Sequence, residues 1–219
     1  MAQTYPDFES FKRLADTGAN LLPMYRRLMS DQITPVLAYR RLVNPDDRMA
    51  PSFLLESVVG GERIGRYSFV GAQPIRQVIA REYDVRQLDA DGQSRAYHCD
   101  DPLGEMAQIT ASWKLARVPE LPSFTGGWVG LAGYDTVRYL EGQKLRSPPP
   151  DDRGLPDLDM QLYRQVVAFD HVQKTVLTIT HLLLDEHRSF RAAYEAGEAE
   201  LDELVHRIET PVHPAASGP

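Results

Sequence analysis

The chain has 219 residues, 42% hydrophobic and 25% charged, the make-up of an ordinary globular protein and length enough for one packed domain. Its net charge is −7 and its 24 Lys and Arg are scattered, which argues against nucleic-acid or anionic-membrane binding, since both need a positive field. Cys99 is the single cysteine, so no intrachain disulfide and no cysteine-based zinc site can be built, and a reducing, cytoplasmic setting fits. The opening MAQTYPDFESFKRLAD mixes acids and bases and lacks the apolar segment of a signal peptide. No apolar run approaches the roughly 20 residues of a membrane span.

In chain order, Phe8, Phe11, Leu14 and Ala15 share one helical face, with Gly18 and Asn20 as stop signals. No element is assigned between Asn20 and Thr34. Thr34 can cap a helix with Pro35 in its first turn, which predicts a helix over 35–42, ended by Asn44-Pro45. From Ser52 to Arg81 the texture changes to Val, Ile, Phe and Tyr punctuated by glycines, which reads as strands. Asp91-Gly92 between extended flanks predicts a hairpin, and residues 101–116 return to helical spacing through Leu103, Met106, Ala107, Ile109 and Trp113.

FTGGWVGLAGYD predicts a glycine-rich strand, TVRYLE a short helix, and SPPPDDRGLPD a surface loop. LYRQVVAFDHVQKTVLTITHLLL predicts two strands around a turn from Asp170 to Lys174. In the second strand Val176, Thr178 and Thr180 lie on one side, Leu177 and Ile179 on the other. Phe190, Tyr194, Gly197, Leu201, Leu204, Val205 and Ile208 form one helical stripe, and the tail after it has linker composition. The fold class is α+β with a mainly antiparallel sheet packed by helices and no second domain.

Motifs for nucleotide, zinc or calcium binding are absent, and the six histidines show no metal-ligand spacing. Gly126, Gly127, Gly130 and Gly133 have the makings of a phosphate cradle, but glycines more often let a strand bend or another backbone approach. No Ser/His/Asp or Cys/His set emerges from spacing. Composition and pattern alone leave the purpose open.

Residues 53–71, FLLESVVGGERIGRYSFVG, closely resemble the segment near the start of anthranilate synthase component I. TPVLAYRRL before it, FTGGWVGLAGYDTVRYLE and LPDLDMQLYRQVVAFDHVQKT after it, and the closing AAYEAGEAELDELVHRI resemble the same family in the same order, from Phe8 to Ile208. The resemblance implies that residues 1–209 are the N-terminal regulatory and scaffold domain, one half of the two-part β-sandwich of chorismate-utilising enzymes. Residues 210–219 would be a linker, and the chorismate-binding C-terminal domain, with its Mg2+ and all catalytic residues, would lie beyond this chain, which itself takes no cofactor.

The whole enzyme would convert chorismate to anthranilate and pyruvate, with ammonia from a glutamine amidotransferase subunit, under feedback by L-tryptophan. Two alternatives stand beside this reading: the N-terminal domain of the sister aminodeoxychorismate synthase, and a free-standing tryptophan-binding module without catalysis.

The resemblance centres the feedback site on LLES. Glu56 offers a carboxylate to an amino acid's ammonium, and Ser57 a hydroxyl that donates and accepts. On a regular strand the two point to opposite faces, so both meet one ligand only where the strand bends or ends, as Gly60-Gly61 allows. Arg66 stands where the family keeps a basic residue near the inhibitor and would pair with a carboxylate. The competing reading of a strand-end Glu-Ser is a solvated pair or a loop hydrogen bond.

Overall fold

The computed structural model describes residues 2–43, 50–56, 65–145, 151 and 153–210. Outside them lie Asn44-Pro45, Ser57, Gly60-Gly61, most of the proline run and the tail after Thr210. The described elements form two antiparallel sheets packed by helices, in agreement with the α+β reading. The chain divides into two compact units, each with its own sheet.

The first unit comprises residues 1–73, 113–126 and 164–219. Its sheet runs β1 (Thr4–Tyr5), β2 (Leu21–Met29), β11 (Thr175–Leu183), β10 (Gln165–Asp170), β4 (Tyr67–Ala72), β3 (Ser52–Leu55). The second comprises residues 74–112 and 127–163, with the order β7 (Ser94–His98), β6 (Asp84–Asp89), β5 (Arg76–Arg81), β9 (Leu158–Tyr163), β8 (Gly127–Ala132).

The helices of the first unit start at side-chain caps, of which the sequence reading named Thr34. Asp7 accepts the Ser10 N–H at 2.8 Å and opens α1 (Phe8–Asp16), which Gly18 ends with a φ of +85°. Thr34 accepts the Leu37 N–H at 3.2 Å and opens α2 (Pro35–Leu42). Ser189 caps α5 (Phe190–Glu209) at Ala192, and Tyr194, Gly197, Leu201, Leu204 and Ile208 are buried as the stripe predicts. Ala193 joins them unpredicted, whereas Phe190 in the first turn is 39% exposed. Leu204 and Ile208 pack with Ala38, Leu42, Val70, Val167 and Val176, while Leu201 and Tyr194 pack with Phe11, Leu22, Met24 and Leu182.

Strand β2 was not legible. Pro23 interrupts its pattern and Arg26 and Arg27 look like surface residues, yet β2 pairs along its whole length with β11. Arg26 is 5% exposed because Asp202 of α5 pairs with its guanidinium, Thr4 accepts from its Nε at 3.1 Å, and the Glu198 carbonyl accepts from Nη2.

β11 is buried on both sides. Leu177 and Ile179 pack with Tyr25, Ala168, Val118 and Leu121, and the Thr180 hydroxyl donates to Glu200. The predicted alternation holds as geometry, but the Val/Thr side is covered too.

In the second unit Gly92, with a φ of +83°, turns β6 into β7 as predicted. The helix predicted over 101–116 is shorter, α3 (Gly104–Ile109). Its spacing misled because backbone hydrogen bonds claim the next stretch: Asn20 and Leu21 N–H donate to the Lys114 carbonyl, and Ala116 N–H to that of Leu21. A 3₁₀ turn leads into α4 (Val137–Glu141), ended by Gly142. Val78, Ala80, Val85 and Leu158 form the second core, covered by Leu103, Met106 and Ile109 from and beside α3.

Candidate functional site

Strands β3 and β4 form the edge of the first sheet, with Leu55 opposite Phe69. That register brings Glu56, one residue past β3, and Arg66, one residue before β4, to the same end of the pair. Glu56 is exposed there, while Ser57 lies outside the described residues. Arg66 is tied down on two sides. Its Nη2 donates to Asp170 Oδ2 at 2.7 Å and its Nε to the same carboxylate at 3.2 and 3.3 Å. Its carbonyl accepts the His171 N–H at 2.9 Å. The guanidinium carbon also stands 4.9 Å from the centre of the Tyr67 ring.

Asp170, the last residue of β10, is the partner that sequence reading missed. Its side chain is only 3% exposed, against 34% for Arg66. It accepts the Val172 and Gln173 N–H groups at 3.0 Å each, closing the turn into β11. Burial pushes this carboxyl up, but Arg66 and the two backbone donors outweigh burial and hold it below the usual carboxylate range. Beside it the Ser68 hydroxyl and His171 Nε2 are 2.7 Å apart. Nothing in the spacing of Arg66 and Asp170 announces the pair, since 104 residues separate them.

An aromatic group lies along the same edge. Phe124 meets Phe53 and Phe69 edge-on, with ring centres 6.1 and 5.2 Å apart, and Tyr67 stacks on Phe69 at 5.9 Å. Burial first, and then the Asp170 charge, push the Tyr67 hydroxyl pKa up, so it stays a neutral donor. Leu55, opposite Phe69, is 49% exposed. Glu56, Arg66 and the Tyr67 ring therefore lie toward one end of the β3–β4 pair, with the Phe69 and Phe124 rings following on from Tyr67, groups of the kinds a zwitterion with an apolar side chain requires.

The other sequence candidates resolve into structure. A Cβ at Gly130 would sit 2.1 Å from the Asp159 carbonyl oxygen on the paired strand, so this glycine serves close backbone approach. His181 is 4% exposed, with Nδ1 3.0 Å from the Arg164 carbonyl and Nε2 3.1 Å from the Thr125 hydroxyl. Among the described residues no group of three or more His, Cys, Asp or Glu is placed to hold a metal ion. No helix among them is long and apolar enough to cross a membrane.

The two-sheet α+β architecture has a solved counterpart in anthranilate synthase component I from Streptococcus pneumoniae. That structure is 25% identical with a TM-score of 0.53, over 84% of this chain and 37% of that one. No family model matches the chain. Anthranilate synthase alpha subunit 1, chloroplastic, of Oryza sativa subsp. indica is 45% identical over 205 residues, 90% of this chain and 36% of that protein. The Arabidopsis thaliana alpha subunit 1, chloroplastic, is 45% identical over 214 residues. Anthranilate synthase component 1 of Pseudomonas aeruginosa is 38% identical over 208 residues, 40% of that protein. The chain is thus a homologue of anthranilate synthase component I over nearly all its own length, and it spans about a third of the first of these relatives. Such partial coverage fits the N-terminal region expected from the sequence.

Proposed function

We propose that this chain is the N-terminal regulatory and scaffold region of an anthranilate synthase component I, and that the Glu56–Arg66 end of the β3–β4 pair carries part of a tryptophan feedback site. In this reading residues 1–209 are that region, and 210–219 lead toward a chorismate-binding domain. That domain, with its Mg2+, converts chorismate to anthranilate and pyruvate, using ammonia from a glutamine amidotransferase partner.

The observation that carries the reading is homology at 45% identity across 90% of the chain. The hairpin supports the finer part. Glu56 supplies an exposed carboxylate for the ammonium of tryptophan, Arg66 at the same end of the strand pair a cation for its carboxylate, and the Tyr67–Phe69–Phe124 rings an apolar neighbourhood for an indole. Ser57, next to Glu56, would add a hydroxyl to the same ligand. A cytoplasmic setting belongs to the same proposal and rests on the single cysteine, Cys99. The Oryza sativa and Arabidopsis thaliana relatives are both named as chloroplastic.

The test is an inhibition curve for Ser57→Ala in the full-length subunit. Loss of one hydrogen bond to a bound ligand is worth about 0.5–1.5 kcal/mol, so the tryptophan midpoint should rise several-fold to about tenfold. Glu56→Gln should raise it further, because the bond lost there is charged. Midpoints unchanged in both variants would return Glu56 and Ser57 to ordinary hairpin residues.

A further inference from the structure

We propose that Asp170, at the β10–β11 turn, is a positioning residue for the inhibitor site and acts through Arg66. The inference rests on the tryptophan reading above and adds to it a residue distant in sequence.

Three ties converge on residues 66–68. The buried Asp170 carboxylate takes the Nε and Nη2 edge of Arg66 in a fork. The next backbone N–H, that of His171, is bound to the Arg66 carbonyl, and the His171 ring is bound to Ser68. Side chain and main chain of Arg66 are thereby fixed to two consecutive residues of one turn. That turn is itself rigid: Asp170 closes it through the Val172 and Gln173 N–H groups, and Lys174 takes the left-handed backbone, with a φ of +55°.

Asp170 also sets the charge that Arg66 presents. A guanidinium forked onto a carboxylate 3% exposed is held in one orientation, with part of its field neutralised. An incoming carboxylate therefore meets a cation placed by the protein rather than one swinging in solvent. Such placement lowers the ordering entropy of binding. Removing the Asp170 charge leaves Arg66 present but no longer held, and the effect on tryptophan should appear only through Arg66.

A double-mutant cycle in the full-length subunit tests this, with Asp170→Asn, Arg66→Gln and both together. Each tryptophan curve is normalised to its own uninhibited rate, and Ser57→Ala is run beside them. Asp170→Asn should raise the tryptophan midpoint about three- to tenfold, and have almost no effect once Arg66 is already Gln. Equal effects of Asp170→Asn in both backgrounds would overturn the inference, because a general loss of stability acts whatever stands at 66. An unchanged midpoint in Asp170→Asn with a shifted one in Ser57→Ala would overturn it as well, leaving the tryptophan reading intact. Unchanged midpoints in Ser57→Ala and Glu56→Gln would sink the tryptophan reading and this inference with it. Should Asp170→Asn fail to fold, Asp170→Glu decides, since it keeps the charge but displaces the carboxylate from Arg66, again read with and without Arg66→Gln. A raised midpoint supports the proposal, and an unchanged one ends it.

Discussion

At Gly130 an added Cβ would lie 2.1 Å from the Asp159 carbonyl oxygen and 2.7 Å from the Met160 Cα. Both are backbone atoms of the paired strand β9, which cannot swing aside as a side chain can. Gly130→Ala should therefore destabilise the protein by about 2–3 kcal/mol, read as a lower urea midpoint, the range of overpacking and backbone effects. A midpoint within about 0.5 kcal/mol of wild type would show that the strand pair tolerates the shift. Arg66 illustrates the other limit at this scale. Its basic character was visible in the sequence, and its partner was not, because Asp170 reaches it only through the pairing of β4 with β10.

Among the helices, α5 carries the most readable pattern and the most buried residues. Leu201 is fully buried against Phe11, Leu22, Met24 and Leu182, so Leu201→Ala should cost about 2–5 kcal/mol in denaturant unfolding. Ser189→Ala, which removes the N-cap bond to Ala192, should cost about 1 kcal/mol. A larger loss from the cap than from the core would contradict this account of the helix. The 35–42 helix and the Asp91-Gly92 hairpin were legible because cap and turn chemistry is local. β2 escaped because Pro23 and Arg26 break its local pattern, and their acceptability comes from the neighbouring strands and α5. The helix over 101–116 was overextended because spacing cannot register that residues 114–116 are bonded to 20–21.

For the molecule as a whole, the buried histidine predicts a pH response. The Arg164 carbonyl only accepts, so His181 Nδ1 carries the proton and Nε2 accepts from Thr125; the ring is neutral. Burial pushes its pKa down, against the raising effects of the Arg164 carbonyl bond and the Glu200 charge and together with the lowering effect of the Arg164 charge. In the unfolded chain the ring protonates first as pH falls, so stability is lost below about 6.5, the ordinary histidine value. The Asp170 pKa is lowered instead, so its contribution persists above about 3.9 and vanishes as pH falls through its folded value. The urea midpoint should therefore drop between about pH 7.5 and 5.5, and His181→Gln should flatten that drop. Equal slopes in the two proteins would remove His181 as its source.

The sequence by itself determined the α+β class, the Thr34-capped helix, the stripe of the last helix, the DG hairpin and the kinship carried by FLLESVVGGERIGRYSFVG. Each depends on neighbours within a few residues or on an ordered run of matching blocks. Only the tertiary structure decided that β2 lies inside a sheet, that two units share the chain, and that Asp170 holds Arg66. Those outcomes depend on contacts between segments far apart in the chain, where burial and pairing override local preference and no periodicity records the partner.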